Sequence, residues 1–179
     1  LPVVALAVTP VTTTHTTEAD FSAAESDGVV AWSLGELTLG AATRTILADQ
    51  AGVGAITAAA AADDGTLYVG TAAEGRILRI APDGTATTVA DLDSAMVTDL
   101  VLDGSRLLAS TVGGQARVVA VDIDSGDVTE LFTDPDVSAV WDIALAGRKV
   151  LAATGSNGKL FAIDPDGGAE AIFTAEQQV

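Results

Sequence analysis

Three stretches of the chain, Thr66–Ile80 (TLYVGTAAEGRILRI), Arg106–Val121 (RLLASTVGGQARVVAV) and Lys149–Ile163 (KVLAATGSNGKLFAI), decide how the rest is read. Each passes from an apolar run to a small residue with Thr, through a polar Gly-rich turn, and into a second apolar run. Thr71, Thr111 and Thr154 lie 40 and 43 residues apart, and the turn glycines Gly65, Gly104 and Gly147 lie 39 and 43 apart. Gly84, Gly126 and Gly167 close the turns PDG, DSG and PDG at intervals of 42 and 41. Three markers sharing one period of about 40 residues define a structural repeat, and self-similarity of this kind outranks local propensity in deciding a fold.

Each period divides into four short runs separated by turn residues, too short for helices and suited to strands. The second repeat predicts strands at Ala55–Ala62, Thr66–Thr71, Arg76–Ala81 and Ala86–Ala90. The third predicts Val97–Leu102, Arg106–Thr111, Ala116–Ile123 and Val128–Thr133, and the fourth Val140–Leu145, Lys149–Thr154, Lys159–Asp164 and Ala169–Thr174. A weaker first repeat follows the same order with Phe21–Ala24, Val29–Ser33, Glu36–Leu39 and Thr43–Ala48, and Gly35 lies 40 residues before Gly75. The run Ala58–Ala62 would suit a helical turn by propensity, but its place in the repeat is that of an innermost strand, where small side chains fit.

Runs such as VTDLVL, ARVVAV and KLFAI are apolar on both faces, so a sheet built from them needs a neighbour on each side. Blades stacked around an axis supply those neighbours. The fold class expected is therefore all-β, with four tandem four-stranded antiparallel repeats forming the blades of a β-propeller or part of one. The expected organisation is a strand-like lead-in at residues 1–19 and blades at about 20–50, 51–92, 93–135 and 136–179.

The period, the D-G turn after the first strand, the Thr-x-x-x-Gly hairpin and the D-x-[SD]-G turn before the last strand resemble bacterial propeller repeats of the broad NHL, YVTN and PQQ-like, WD40-like group. The resemblance runs from about residue 20 to residue 179. It implies the fold and leaves the function open, because that group hosts lactonases, redox enzymes and plain binding scaffolds. A quinoprotein repeat of the group would carry Trp soon after its D-x-x-[ST]-G turn, whereas Asp127, Val128, Thr129, Glu130, Leu131 and Phe132 follow here, which argues against PQQ. Trp141-Asp142 opens a first strand rather than ending a third and has no Gly-His before it, unlike WD40 proper.

Composition narrows the functions. Hydrophobic residues make up 49% of the 179, which excludes disorder. The net charge of −17 repels phosphate backbones and anionic lipid surfaces, so neither nucleic acid nor a membrane is an expected partner. Solvated acidic turns account for most of that charge. The chain has no Cys, which removes disulfides, thiolate metal sites and cysteine nucleophiles. Leu1–Val8 reads as a first strand or as the tail of a signal sequence, with strand preferred. An exported location, periplasmic or extracellular, is favoured over the cytoplasm.

No catalytic, cofactor or metal residue is assigned. The lactonase-type propellers that the repeats resemble hold a divalent metal at the axis with several Asn side chains, and this chain has one, Asn157. The single His, His15, lies outside the clear repeats, where a general base could not easily face the propeller centre. D-x-D pairs recur at Asp91/Asp93, Asp122/Asp124, Asp134/Asp136 and Asp164/Asp166. Carboxylates at this spacing suit Ca²⁺, but Asp is also a standard turn residue, and the turn reading is preferred. Loops linking one blade to the next and loops between second and third strands form the usual ligand face. Asp91, Asp93, Asp134, Asp136, Trp141 and Asn157 are the candidate partner-binding residues on it, for a protein or a small cationic ligand. Trp32 is expected in the core.

The leading expectation is a non-enzymatic binding or protein-interaction scaffold without cofactor, completed as a homodimer or by further blades. Two alternatives stand beside it: a metal-dependent lactonase- or hydrolase-like enzyme, and an excised or engineered half-propeller with no separate activity.

Overall fold

A computed structural model describes residues 29–31, 37–40, 45–46, 53–155 and 158–175. The chain divides into two compact units, Leu1–Thr45 and Ile46–Val179. In the first, strands β1 (Val29–Ala31) and β2 (Leu37–Leu39) form an antiparallel hairpin, with Val29 opposite Leu39. The expected strands Leu1–Val8 and Phe21–Ala24 fall outside the described residues, as do most of Thr43–Ala48, His15, Trp32 and Gly35.

The second unit is built from three antiparallel four-stranded meanders, the blades. The second blade comprises β3 (Ala55–Ala61), β4 (Leu67–Ala72), β5 (Arg76–Ile80) and β6 (Ala86–Asp91). The third comprises β7 (Met96–Asp103), β8 (Arg106–Val112), β9 (Arg117–Asp122) and β10 (Val128–Thr133). The fourth comprises β11 (Val140–Ala146), β12 (Lys149–Thr154), β13 (Lys159–Ile163) and β14 (Ala169–Thr174). The alanine run is strand, as its place in the repeat requires. Among the described residues, three blades are complete and the first repeat is represented by the β1–β2 hairpin.

The sequence markers acquire physical roles. Thr71 and Thr111 are fully buried and Thr154 nearly so. The Thr71 hydroxyl accepts from the Arg76 amide at 3.0 Å and donates to the Arg76 carbonyl at 3.2 Å. Thr111 accepts from the Arg117 amide at 3.0 Å and donates to its carbonyl, and Thr154 donates to the Lys159 carbonyl at 2.9 Å. The threonine thus closes the mouth of each second-to-third strand hairpin. The glycines of the third turn mark close approach to the backbone of the preceding repeat. A Cβ on Gly126 would lie 2.5 Å from the Val89 carbonyl oxygen, and one on Gly84 3.4 Å from that of Ile46.

The core lies between blades. One cluster joins Tyr68, Ile77 and Ala90 of the second blade to Val97, Leu100, Leu107, Ala109, Val119 and Val121 of the third. The next joins Leu108, Val118, Ala120, Leu131 and Phe132 of the third to Val140, Ile143, Val150, Ala152, Phe161 and Ile163 of the fourth. Phe132 and Phe161 meet across that seam with ring centroids 4.8 Å apart. Each blade therefore packs a forward face on the backward face of the next. Within the first of these cores the blades come close at Gly70, where a Cβ would lie 2.6 Å from Val97 Cγ1.

Each innermost strand carries a bulge whose extra residue is Thr57, Thr98 or Trp141. The Thr57 hydroxyl donates to the Val97 carbonyl at 2.6 Å, and the Thr98 hydroxyl donates to the Val140 carbonyl. These bonds tie adjacent innermost strands. The residues after Thr71 and Thr111 make a second tie, Ala72 bridging to Met96 and Val112 to Ala139.

Thr111→Val keeps the shape and removes a buried hydroxyl that serves two backbone groups. It is expected to cost about 1–3 kcal/mol in urea unfolding, whereas Thr129→Val on the exposed strand β10 should stay within about 0.5 kcal/mol. Gly70→Ala forces a methyl into the seam and should cost about 1–3 kcal/mol by the same measurement.

Candidate functional site

The seams bring two loop sets to one end of the blades. Between the second and third blades, the Ala73 amide donates to the Ala95 carbonyl at 2.8 Å and the Leu92 amide to the Gly75 carbonyl at 3.1 Å. The loop Leu92–Ala95 is thereby strapped to the turn after β4. Gly75 has φ 58° and Gly113 has φ 93°, and a Cβ on either would lie 2.5 Å from Ser94 or Ala95. Both positions therefore require glycine. An open cleft of about 650 Å³ results, lined by Glu74, Asp91, Asp93, Ser94, Ala95 and Gly113. It continues past Asp91 and Asp93 to Arg117 and Glu130.

The charges in this cleft are largely engaged. Glu74 pairs with Arg76, and the Arg117 guanidinium donates to the Leu92 carbonyl and lies 3.9 Å from Glu130. The Asp91 carboxylate accepts from the Asp93 amide at 3.1 Å. In the next inter-blade loop Asp134 accepts from the Asp136 amide at 2.8 Å. In both pairs the first Asp closes its own turn. Ser94 Oγ is buried and has no hydrogen-bond partner among the described residues.

The six candidate residues are not gathered into one site. Asp91 and Asp93 share the cleft just described. Asp134 lines a separate cleft with Phe132, Phe161 and Gly167, and Asp136 is exposed on the loop beside it. Trp141 lies on the innermost strand of the fourth blade, 53% exposed, with its indole against Gly155. Asn157 lies outside the described residues. No group of three or more His, Cys, Asp or Glu side chains is placed to hold a metal ion among the described residues. The loop end offers carboxylates and carbonyls to a cationic group.

One pair escaped the sequence reading. Asp99 and Asp142 occupy equivalent positions on adjacent innermost strands, 43 residues apart in VTDL and VWDI. Asp99 accepts from its neighbour's Leu100 amide at 2.8 Å and, across the seam, from the Ile143 amide at 3.0 Å. Loss of water around Asp142, then the charge of Asp99 and a hydrogen bond with it, raise the Asp142 carboxyl above its ordinary value. Both aspartates fall on the marker period, and that spacing was the available signal.

The family described as outer membrane protein assembly factor BamB matches residues 5–172. No curated protein sequence matches the chain. Among solved structures, the nidogen/laminin complex is similar with a TM-score of 0.58 at 19% identity, covering 66% of this chain and 48% of that one. Virginiamycin B lyase from Staphylococcus aureus is similar with a TM-score of 0.53 at 18% identity, covering 64% of this chain and 40% of that one. The extracellular domain of the putative hybrid two component system BT4673 from B. thetaiotaomicron gives 0.56 at 17%, covering 82% of this chain and 19% of that one. The chain thus spans less than half the length of each of these structures, and the likeness establishes the β-propeller fold.

Asp142 titrates higher in the folded chain than in the unfolded one, so it favours folding while protonated and costs stability once the pH rises through its folded value. Asp64, Asp83 and Asp122 are lowered, chiefly by the amides of Thr66, Thr85 and Ser125, and their contribution is lost as the pH falls through their folded values. Asp142→Asn is therefore expected to raise the melting temperature at pH 7, with the gain shrinking by pH 4. Thermal unfolding across that range checks it, and a gain that grows on acidification would contradict the assignment.

Proposed function

The chain belongs to the family of the outer membrane protein assembly factor BamB, and from that premise we propose that it is a non-enzymatic propeller module acting as a protein-interaction scaffold. The observation that carries this reading is the family match, which spans 168 of the 179 residues, positions 5 to 172. The family's description and the nidogen/laminin complex both name proteins that work through other proteins, which supports a protein partner. The family and the extracellular domain among the similar structures support an exported location.

The loop end supplies the chemistry for a cationic partner. Asp91 and Asp93 sit at the edge of an open cleft on a chain of net charge −17, and the turn hydrogen bond that Asp91 accepts from the Asp93 amide leaves lone pairs on the Asp91 carboxylate. A positively charged segment is steered to such a surface, and the attraction weakens with salt. The virginiamycin lyase likeness keeps an enzyme as the competing reading.

Titration calorimetry with a Lys-rich decapeptide tests the proposal. Binding should weaken severalfold in Asp91→Asn/Asp93→Asn and stay near wild type in Asp63→Asn/Asp64→Asn, which removes the same charge in the turn joining β3 to β4. Equal loss in both would reduce the interaction to net charge and remove the loop end as its site. Melting temperature should be unchanged by millimolar Ca²⁺, Mg²⁺ or chelator, whereas stabilisation by several degrees would favour the metal-dependent enzyme.

A further inference from the structure

Four Asp–Gly steps fall within the described residues, Asp64–Gly65, Asp83–Gly84, Asp103–Gly104 and Asp166–Gly167, while Asp27–Gly28 lies outside them. An Asp–Gly step rearranges readily because glycine has no Cβ to shield its amide from the carboxyl carbon of the preceding side chain. Three of the four sit in turns of one design. Gly65, Gly84 and Gly167 adopt φ of 85°, 89° and 87°, and their amides donate to the Ala62, Ala81 and Asp164 carbonyls at 3.0, 2.8 and 2.9 Å. Asp64, Asp83 and Asp166 are all exposed. Neither the backbone nor access to water tells these three turns apart.

Their carboxylates differ. Asp64 accepts from the Thr66 amide at 2.9 Å, and Asp83 accepts from the Thr85 amide at 2.9 Å. Those amides, and after them the two threonine hydroxyls, lower both carboxyls below their ordinary value. Asp103, in the remaining step, is ion-paired with Arg106. Where the first two turns carry Thr, the turn of the fourth blade carries Gly168, which brings no hydroxyl. The Asp166 carboxylate has no hydrogen-bond or ion-pair partner among the described residues. Its neighbour Asp164 is held by Lys149 at 3.1 Å and precedes Pro165, whose nitrogen carries no hydrogen.

We propose that Asp166 is a site of spontaneous isoaspartate formation in the folded chain, favoured over Asp64, Asp83 and Asp103. The Gly167 nitrogen attacks Cγ of the Asp166 side chain in its acid form. A C–N bond forms, and the amide proton leaves with the carboxyl hydroxyl as water, which gives a five-membered succinimide. Water then adds to one of the two ring carbonyls and breaks its bond to nitrogen. Opening at Cγ restores Asp, whereas opening at the α-carbonyl leaves the main chain running through Cγ. The mass is unchanged, and the turn joining β13 to β14 gains one methylene in its backbone. At Asp64 and Asp83 the threonine bonds hold the carboxylate away from the glycine nitrogen and keep it ionised, and an ionised carboxylate has no hydroxyl to lose as water. The Arg106 guanidinium restrains Asp103 in the same way.

The test is to incubate the purified chain in weakly acidic buffer and map its peptides, with fragmentation that tells isoaspartate from aspartate at a given residue. Isoaspartate at Asp166 should accumulate about tenfold faster than at Asp64, Asp83 or Asp103, the factor that one hydrogen bond to a charged group supplies. In denaturant the four steps should run at similar rates, because the difference lies in the folded turns. Gly168→Thr gives Asp166 the neighbour that the other turns have, at a position where a Cβ would meet the Asp164 side chain at 3.8 Å. It should slow the reaction at Asp166 about tenfold, and Thr85→Gly, at an exposed residue, should speed it at Asp83 by about as much. Circular dichroism should show that both variants keep their strands. Equal rates at the four steps of the folded chain would overturn the proposal. So would a preference for Asp166 that persists in denaturant, or rates that neither substitution moves.

Discussion

A four-stranded sheet that is apolar on both faces cannot bury itself, and this constraint governs everything else in the molecule. The buried residues of the third blade divide between two clusters, Leu107, Val119 and Val121 on one side and Leu108, Val118 and Ala120 on the other. These are consecutive residues on the same strands, so alternation along a strand feeds two seams rather than one core and one solvent face. Small residues follow from the same constraint. The innermost strands converge, and Gly70, Ala58 and Ala60 let the second blade approach the third closely enough for the Thr57 hydroxyl to reach a carbonyl 40 residues away.

The features legible in the sequence were those fixed within one repeat. Thr71, Thr111 and Thr154 recur because each bonds backbone only five or six residues on, and a constraint that local leaves the same residue at the same place every time. Gly65, Gly104 and Gly147 recur because each adopts positive φ in a tight turn. The seam ties were harder to see. Thr57 and Thr98 bond residues 40 and 42 positions away, and their bulges shift the strand register in a way no local pattern announces. Their equivalence to Trp141 became visible only once the bulges aligned all three.

The candidate site was legible at the level of loops and not of residues. Asp93 falls in the inter-blade loop and Asp91 ends the outer strand β6 just before it, because D-x-D sequences make their own turns, and the observed bonds within each pair are that turn chemistry. Asp134 and Asp136 do the same one blade on, so the period that located all four also sent them to different seams. Equivalent residues in successive blades converge only on the innermost strands. Asp99 and Asp142 are the pair that this rule selects, and they meet closely enough for one to raise the other.

Repetition also explains why departures carry more information than matches. A residue that follows the rule, such as Phe132 buried at the forward face, reports only that a blade lies beyond it. Trp141 breaks the rule at a position where its two equivalents are threonines tied to the next strand. Its indole lies over Gly155, the residue that leaves room for the ring. Replacing a short donor by a long one, together with removing the side chain under it, keeps a hydrogen-bond donor at the seam while changing the distance at which it is met.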